Sequence, residues 1–595
     1  LPVKKRGIVL PQWFYKQFCP DSVEELRKQL RISPLLAHLL SNRDLNTVAS
    51  AREFLEPSLD KMHQPSFFQQ MEKAVQRIFQ AVQRQELIVV YGDYDVDGIT
   101  GASLLYNYFC FLKTPAMYYS PDRITEGYGL NLKAIETFLQ QHAKVLITVD
   151  CGTSNLKEVA FAQEQGLDVL ITDHHESPPL LPPAYAILNP KLADSGYPFP
   201  HLCGAGVAFK LCWALSQKMC NNTKVSPEFR RLLLESLSLV AIGTVADVVP
   251  LVGENRIFVH FGLKSFAIGK KAEQMVFQGA KGHKGLQALI EEVRLDKNNL
   301  NEIDIGFRLA PLMNAAGRIS RAMLGIELLT STHDEKAKKL AKELAHNNRE
   351  RQELEKKALE EADKLFLADP QRHTKFGIVL ANPHWHPGVI GIVAARIAER
   401  YHRPTLIVTL KEGIAKGSGR SIGQIHLYQV LSQLKENLIQ FGGHAAAVGF
   451  SLKEQHLPWL EKAFDETLKK IVSTSDLVRQ LAIDKEILLS EVDTRLMKDL
   501  ERLSPFGQGN PVPLFSTTNL KVAGTPQRLG KQGAHLRFYV SHYQISHQAI
   551  AFDMGERQEL LQGKSVSLVY TPKWNTFQTP KQIQLEVKDL KILND

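Results

Sequence analysis

At 595 residues the chain is too long for one hydrophobic core, and about two to four domains are expected. Hydrophobic residues make up 44% and charged residues 23%, an ordinary soluble globular composition, and no apolar run reaches membrane-spanning length. Six cysteines without a CxxC pair argue against a structural zinc site and for a reducing, cytoplasmic setting. The net charge of +9 permits a polyanionic partner without requiring one. The start Leu-Pro-Val-Lys-Lys-Arg is not followed by a signal-peptide core, and the absence of Met there points to processing or trimming.

Residues 1–74 read as a helical, Pro-punctuated extension expected to pack on the first domain. From 75 to 331 short apolar runs at 87–91, 145–149, 168–172 and 185–188 alternate with amphipathic stretches such as 131–142 and 155–165. That alternation predicts a parallel doubly wound α/β sheet. Residues 332–369, rich in Lys, Glu, Ala and Leu, predict a long solvated helix joining two bodies. A second α/β unit spans 370–477, with strands at 376–380 and 405–410, a helix at 389–401 and a Gly-rich region to 450. From 478 to 595 short alternating strands, at 536–540, 548–552, 565–570 and 582–587, predict a small β-barrel, of which an OB-like barrel is one form.

The chemistry concentrates where the first strands end. The run 87–91 leads into Asp93-Tyr94-Asp95-Val96-Asp97-Gly98, with three acids at alternate positions. Carboxylates so crowded repel and raise one another's pKa unless a cation lies among them. Other strands end the same way: 145–149 runs into Asp150-Cys151-Gly152 and 168–172 into Asp173-His174-His175, while Asp247 follows the apolar segment 237–246. In a parallel sheet these ends share one edge, so Asp93, Asp95, Asp97, Asp150 and His174 converge. Several carboxylates with one or two imidazoles suit a pair of Mn²⁺ or Mg²⁺ ions, the imidazole favouring Mn²⁺. Two such ions activate water and stabilise the leaving oxygen of a phosphate ester. A single strand-terminal Asp is ordinarily a turn or helix cap and a lone His ordinarily structural; three acid-bearing tips, one a DHH triplet, are not. Cys151 has no basic partner nearby in sequence and reads as a packing residue.

Read together, the Asp-rich motif, Val149-Asp150-Cys151-Gly152, Asp173-His174-His175 and Ala246-Asp247-Val248-Val249-Pro250 resemble the DHH phosphoesterase superfamily. The stretches 311–319, 383–391, 417–421, 441–450 and 503–511 extend the resemblance, across nearly the whole chain, to the bacterial RecJ family of single-strand-specific 5′→3′ exonucleases. The resemblance implies a DHH catalytic domain, a DHHA1-type domain across a cleft, and an OB-fold that enlarges the DNA-binding surface. It implies catalytic roles for Asp97, Asp150, His174 and His175. Asp95 and Asp150, with Asp93 nearby, would hold one ion. Asp97, Asp150, His174 and Asp247 would hold the other, and Asp173 would support the histidines from behind. The implied partners are single-stranded DNA with a 5′ end, a single-strand-binding protein and a RecQ-type helicase; the chain is expected to be a cytoplasmic monomer acting in recombination and repair.

The facing domain is expected to bind phosphate. Gly417, Ser418, Gly419, Arg420 and Ser421 read as a short loop of N–H groups, hydroxyls and a guanidinium suited to a terminal phosphate, although alone they read equally as a flexible turn. Asn314 and Arg318 lie four apart, on one helix face toward nucleic acid; a surface salt bridge is the plainer reading of Arg318. His444 follows two glycines that allow close backbone approach. In Pro383-His384-Trp385-His386-Pro387, Trp385 reads as a packing or base-stacking residue rather than part of a metal cluster. Tyr570 to Phe577, with Lys573, Trp574 and the nearby Lys581, reads either as a base-stacking platform or as core. The rival functions are a pyrophosphatase or short-oligonucleotide phosphodiesterase of the same superfamily, and an inactive replication scaffold, which would show eroded ligands.

Overall fold

The computed structural model describes residues 11–123, 126–266, 284–575 and 579–593; residues 1–10 of the extension, and Thr576 and Phe577 of the aromatic run, lie outside them. The first body is built on a five-stranded, wholly parallel sheet in the order Ala116–Tyr119, Ile88–Gly92, Val145–Val149, Asp168–Thr172, Ala186–Leu188. Its central strands are mostly apolar because both faces are covered, whereas the edge strand Ala116–Tyr119 is half-buried. Ile88, Val90, Val145 and Ile147 pack beneath the helices Val96–Phe111, Gly204–Cys220 and Pro227–Ala246. Val89, Tyr91, Leu146 and Val169 face the helices Leu132–Gln140 and Leu156–Glu164. All five carboxyl ends therefore open on one edge. The apolar segment before Asp247 is the buried end of the helix Pro227–Ala246, because a continuous apolar run does not by itself distinguish a buried helix from a strand.

The helix Asp334–Leu367 is the spine of the molecule, about 50 Å long at 1.5 Å per residue. Its first half buries Ala337, Leu340 and Leu344 in the first body. Its second half buries Ala358, Ala362 and Phe366 against Ile378, Trp385 and Val393 of the second. That second body has the sheet order Leu438–Gly443, Ala447–Lys453, Ile414–Arg420, Thr405–Lys411, Ile378–Ala381, parallel only in the last pair.

Here the structure corrects the reading of 417–420 as a loop. These residues end the central strand of the sheet, paired on both sides, so their backbone N–H groups serve the ladder rather than a ligand. Their glycines answer to packing: a methyl on Gly417 would collide with the Phe450 ring, and one on Gly419 with Leu406, Val448 and Leu427.

The third body is a closed five-stranded barrel, Phe515–Leu529, His535–His542, Ile545–Ala551, Gln582–Ile592 and Ser565–Asn575, sealed where the first strand pairs with the last. The N-terminal helices belong mainly to this body, not to the first. Leu26, Leu36, Leu39 and Leu40 share a core with Leu496, Leu500 and the barrel residues Phe515 and Leu568, and the strand Gln12–Tyr15 runs parallel to Gln480–Ile483. An amphipathic helix records that it must cover an apolar surface, not which one; the stretch around Leu59, Met62, Phe68 and Met71 packs into the first body, and Phe54 meets Arg256 of that body. Of the two readings of the aromatic run, the core reading holds for Tyr570, while Trp574 is half-buried. Tyr570 is wholly buried, with its hydroxyl on Thr517, Trp574 donates its indole N–H to Glu501, and Lys573 is paired with Glu586.

Gly417→Ala is expected to cost about 1–3 kcal/mol by forcing the Phe450 ring aside. Gly442→Ala, where an added methyl meets open space, is expected to stay within ~0.5 kcal/mol. Urea denaturation of the two variants measures the difference.

Candidate active site

The acids are positioned by the ends of their elements. Asp93 leaves the strand Ile88–Gly92 with its N–H on Val149; its side chain is buried and one carboxylate oxygen has no hydrogen-bond partner. Asp95 caps the next helix, accepting from the N–H groups of Asp97 (3.0 Å) and Gly98 (3.2 Å). Asp97, in the first turn, accepts from the N–H groups of Gly204 and Ala205 at the positive start of another helix. Asp150 holds a left-handed backbone (φ 63°), a conformation uncommon outside glycine and concentrated at functional sites. Gly204 is required beside it, because a methyl there would press on the Asp150 Cβ. Asp247 follows the last turn of the helix Pro227–Ala246.

These side chains meet. His174 Nε2 lies 3.0 Å from Asp150, 3.5 Å from Asp247 and 3.8 Å from Asp97. Three overlapping groups place their ligand atoms within 4.8 Å of one another: Asp93, Asp95 and Asp150; Asp97, His174 and Asp247; Asp150, His174 and His175. Burial and mutual repulsion push the carboxyls up, Asp97 to about 6, Asp247 to about 9 and Asp150 well above the ordinary range. Burial, and the charge of His175, pull His174 down to about 3, so it is neutral and free to ligate. A buried nest of acids with a neutral imidazole and an orphaned carboxylate oxygen fits divalent cations, which would supply the missing charge.

Asp173 works from behind. It accepts from the N–H groups of Thr153, His174 and His175 and from His175 Nδ1 at 2.8 Å. Burial lowers the His175 pKa, but the hydrogen bond and charge of Asp173 prevail and raise it to about 9. His175 is thus a cation at neutral pH. Tyr128 approaches its Nδ1 at 3.3 Å and Asn189 donates to its carbonyl. From the opposite wall His444, just past the strand Leu438–Gly443, lays its ring nearly parallel to that of His175, with centroids 6.1 Å apart.

Beside this cleft a pocket of about 130 Å³ is lined by Arg123, Arg318, Gly388, Gly391, Lys416 and Ser418, among others. Arg420 braces it, donating to Ser418 Oγ at 3.1 Å. Arg318 is no surface salt bridge. Burial and the neighbouring Arg123, Arg420 and Arg351 lower its pKa to about 10, and it donates to the Gly388 carbonyl (3.4 Å). The start of the helix Ile390–Tyr401 lines the same pocket, so its geometry suits an anion. Asn314 lies one turn before Arg318, half-buried. Ser421 gives its hydroxyl to Ile425, and Gly419 faces the core; neither lines the pocket. Trp385 is buried, with its N–H on Glu361, and His386 accepts from Gly388, so this stretch is structural.

Sequence reasoning missed Arg123, whose guanidinium lies 5.1 Å over the Tyr94 ring, together with Tyr128 and Lys416. The available signal was position: Arg123 and Tyr128 follow the edge strand Ala116–Tyr119 at the same end of the sheet as the acids. That strand carries no acid motif and was not predicted.

Fold and site together define a metal-dependent phosphoesterase of the DHH type: residues 87–244 match the N-terminal domain of the DHH family, 374–470 the DHHA1 domain and 483–589 the RecJ OB domain. The chain is 35% identical over 584 residues to the single-stranded-DNA-specific exonuclease RecJ of Bacillus subtilis, covering 98% of this chain and 71% of the relative. It superimposes on the crystal structure of RecJ from Thermus thermophilus with Mn²⁺ at a TM-score of 0.81 and 28% identity, covering 100% of this chain and 80% of that one. For the Mg²⁺ complex of the same protein the values are 0.75 and 27%, with coverage of 98% and 79%. The chain belongs to the RecJ family of single-stranded-DNA-specific exonucleases. It is a nuclease that uses divalent metal and acts on single-stranded DNA, rather than an inactive scaffold or a small-substrate phosphodiesterase.

In the metal-free protein His175 is expected to titrate near 9 and, in Asp173→Asn, to fall toward or below 6.5, because the carboxylate that stabilises its cation is gone. Histidine NMR across pH 5–10 checks the shift; an unchanged His175 titration would contradict the pairing.

Proposed function

We propose that the chain removes nucleotides from the 5′ end of single-stranded DNA, releasing 5′-mononucleotides. The observation that carries the polarity is the arginine pocket beside the acid cluster. Arg123, Arg318, Ser418 and Arg420, with Asn314 nearby, hold a terminal 5′ phosphate. A phosphate monoester carries more charge than the diesters of the chain, so clustered guanidinium groups select the end. That anchoring sets the register and leaves the first phosphodiester against the acids.

Two divalent cations fit the donors: one at Asp93, Asp95 and Asp150, the other at Asp97, His174 and Asp247, with Asp150 shared. Mn²⁺ is favoured over Mg²⁺ because an imidazole is among the ligands. When bound, the ions supply Lewis acidity toward the phosphoryl oxygens and acidify the attacking water. The chain's own groups do the rest. His175, held protonated by Asp173, donates toward the phosphate under attack, and His444 contacts the same backbone from the other wall. Walls that approach so closely that two imidazoles face each other with centroids 6.1 Å apart exclude a duplex. Beyond the cleft the barrel presents exposed Tyr539 and Tyr543 on and beside its second and third strands, a surface on which bases stack. Such an enzyme serves recombination and repair in the cytoplasm as a monomer, on strands supplied by a RecQ-type helicase and held by a single-strand-binding protein.

With Mn²⁺ and end-labelled single strands, a 5′ label is expected to appear first as mononucleotide; early release of a 3′-terminal mononucleotide would refute the polarity. Asp150→Ala is expected to lower kcat by ~10³-fold or more. Arg318→Ala is expected to raise KM about tenfold to a hundredfold for 5′-phosphorylated strands, the scale of a lost charged hydrogen bond of ~1.5–3 kcal/mol, with little change for 5′-hydroxyl strands. Equal losses on both substrates would remove Arg318 from the end-binding role.

A further inference from the structure

The stretch Leu503–Pro511 has no part in the cleft, yet the structure seats it against the turn that carries one of the acids. The N–H of Leu251, four residues after Asp247, donates to the Gln508 carbonyl at 2.7 Å. Gly507 and Gly509 let the two backbones approach: a methyl on Gly507 would lie 2.7 Å from Leu251 Cδ1, and Gly509 (φ 73°) sits against Pro250. Gly507 and Asn510 close the loop on each other by two backbone hydrogen bonds. Wholly buried Asn510 donates to the carbonyls of Leu503 and Pro505 and accepts from Arg43 of the N-terminal helices.

The catalytic body grips the same loop. Arg256, buried on the helix Gly253–Ser265 that follows the Asp247 turn, donates to the carbonyls of Arg502, Leu503, Ser504 and Pro505, and to that of Phe54. Glu302 accepts from the Phe506 N–H at 3.0 Å. Between Asp247 and Leu251 the chain passes through a left-handed, exposed Val248, and on its far side the catalytic body holds the turn through Asn255, which donates to the Pro250 carbonyl at 3.0 Å.

We propose that Asn510 and its loop are positioning elements of the metal centre. From the C-terminal body, they hold the far side of the Asp247–Leu251 turn and so keep the Asp247 carboxylate beside His174. Ligand side chains must be held to about 0.5 Å, and the loop's bond to Leu251 adds to that of Asn255 on Pro250 in fixing the turn. The inference rests on the reading of Asp247 as a metal ligand. It predicts that loosening the loop weakens the cation position of Asp97, His174 and Asp247 and spares that of Asp93, Asp95 and Asp150.

The test uses the full-length, metal-free protein. Mn²⁺ binding is titrated by calorimetry and electron paramagnetic resonance, and hydrogen exchange of the Leu251 amide is followed, in wild type, Asn510→Ala, Arg43→Ala and Asp247→Asn. Arg43→Ala releases the loop from the barrel side without altering the catalytic body, and covers the case in which Asn510→Ala does not fold. The expected result is faster Leu251 exchange with about tenfold weaker binding at one of two Mn²⁺ positions, the scale for residues that orient a ligand. Faster exchange with both affinities intact would reduce the loop to a domain contact and overturn the proposal. Unchanged exchange would overturn it too. If Asp247→Asn leaves both affinities unchanged, the ligand assignment fails, and the inference falls with it for that separate reason.

Discussion

Five carboxyl groups crowded into a buried spot are the constraint on which the structure turns. Asp93, Asp95, Asp97, Asp150 and Asp247 repel one another, and burial worsens the repulsion. Nothing in their local sequence favours that arrangement. It persists because elements with large apolar interfaces deliver each acid: two parallel strand ends on one sheet edge, a helix start aimed at Asp97, and the end of a buried helix before Asp247. The scaffold holds charge together so that a divalent cation resolves it.

The opposite sign is concentrated beside the acids, on both walls of the cleft. Burial and the neighbouring guanidinium groups depress the proton affinity of Arg318 and Arg420, and the two clusters await different parts of one polyanion. Tyr94, between two of the acids, touches both sides: Arg123 stacks on its ring, and Gly317, one residue before Arg318, packs on its carbonyl. The helix Ala310–Ile319 therefore links the acid edge to the arginine pocket. The long helix Asp334–Leu367 keeps the two walls at a set distance by burying one half in each body.

The chain's ends serve the same purpose. The N-terminal helices and the barrel share a core, Arg43 and Asn510 bind its parts to each other, and Arg256 ties it to the catalytic body through backbone carbonyls. Those bonds fix the geometry of the contact and satisfy a buried guanidinium that would otherwise be costly to desolvate.

Strand-end acids were legible because their spacing is local: a strand of known period followed by an acid places that acid at a sheet edge whatever surrounds it. The same holds for the barrel, the connecting helix and the order of the domains, all written in periodicity and turn residues. Tertiary structure alone decided which surface the N-terminal helices cover and that 417–420 is a strand. It also decided that Tyr570 lies inside, and that Arg123 and His444 reach the cleft from elements far apart in sequence. An amphipathic pattern states that a face is buried but not against what, and a glycine serves a turn and a crossing phenyl ring equally. Those ambiguities are resolved only when distant segments compete for the same space.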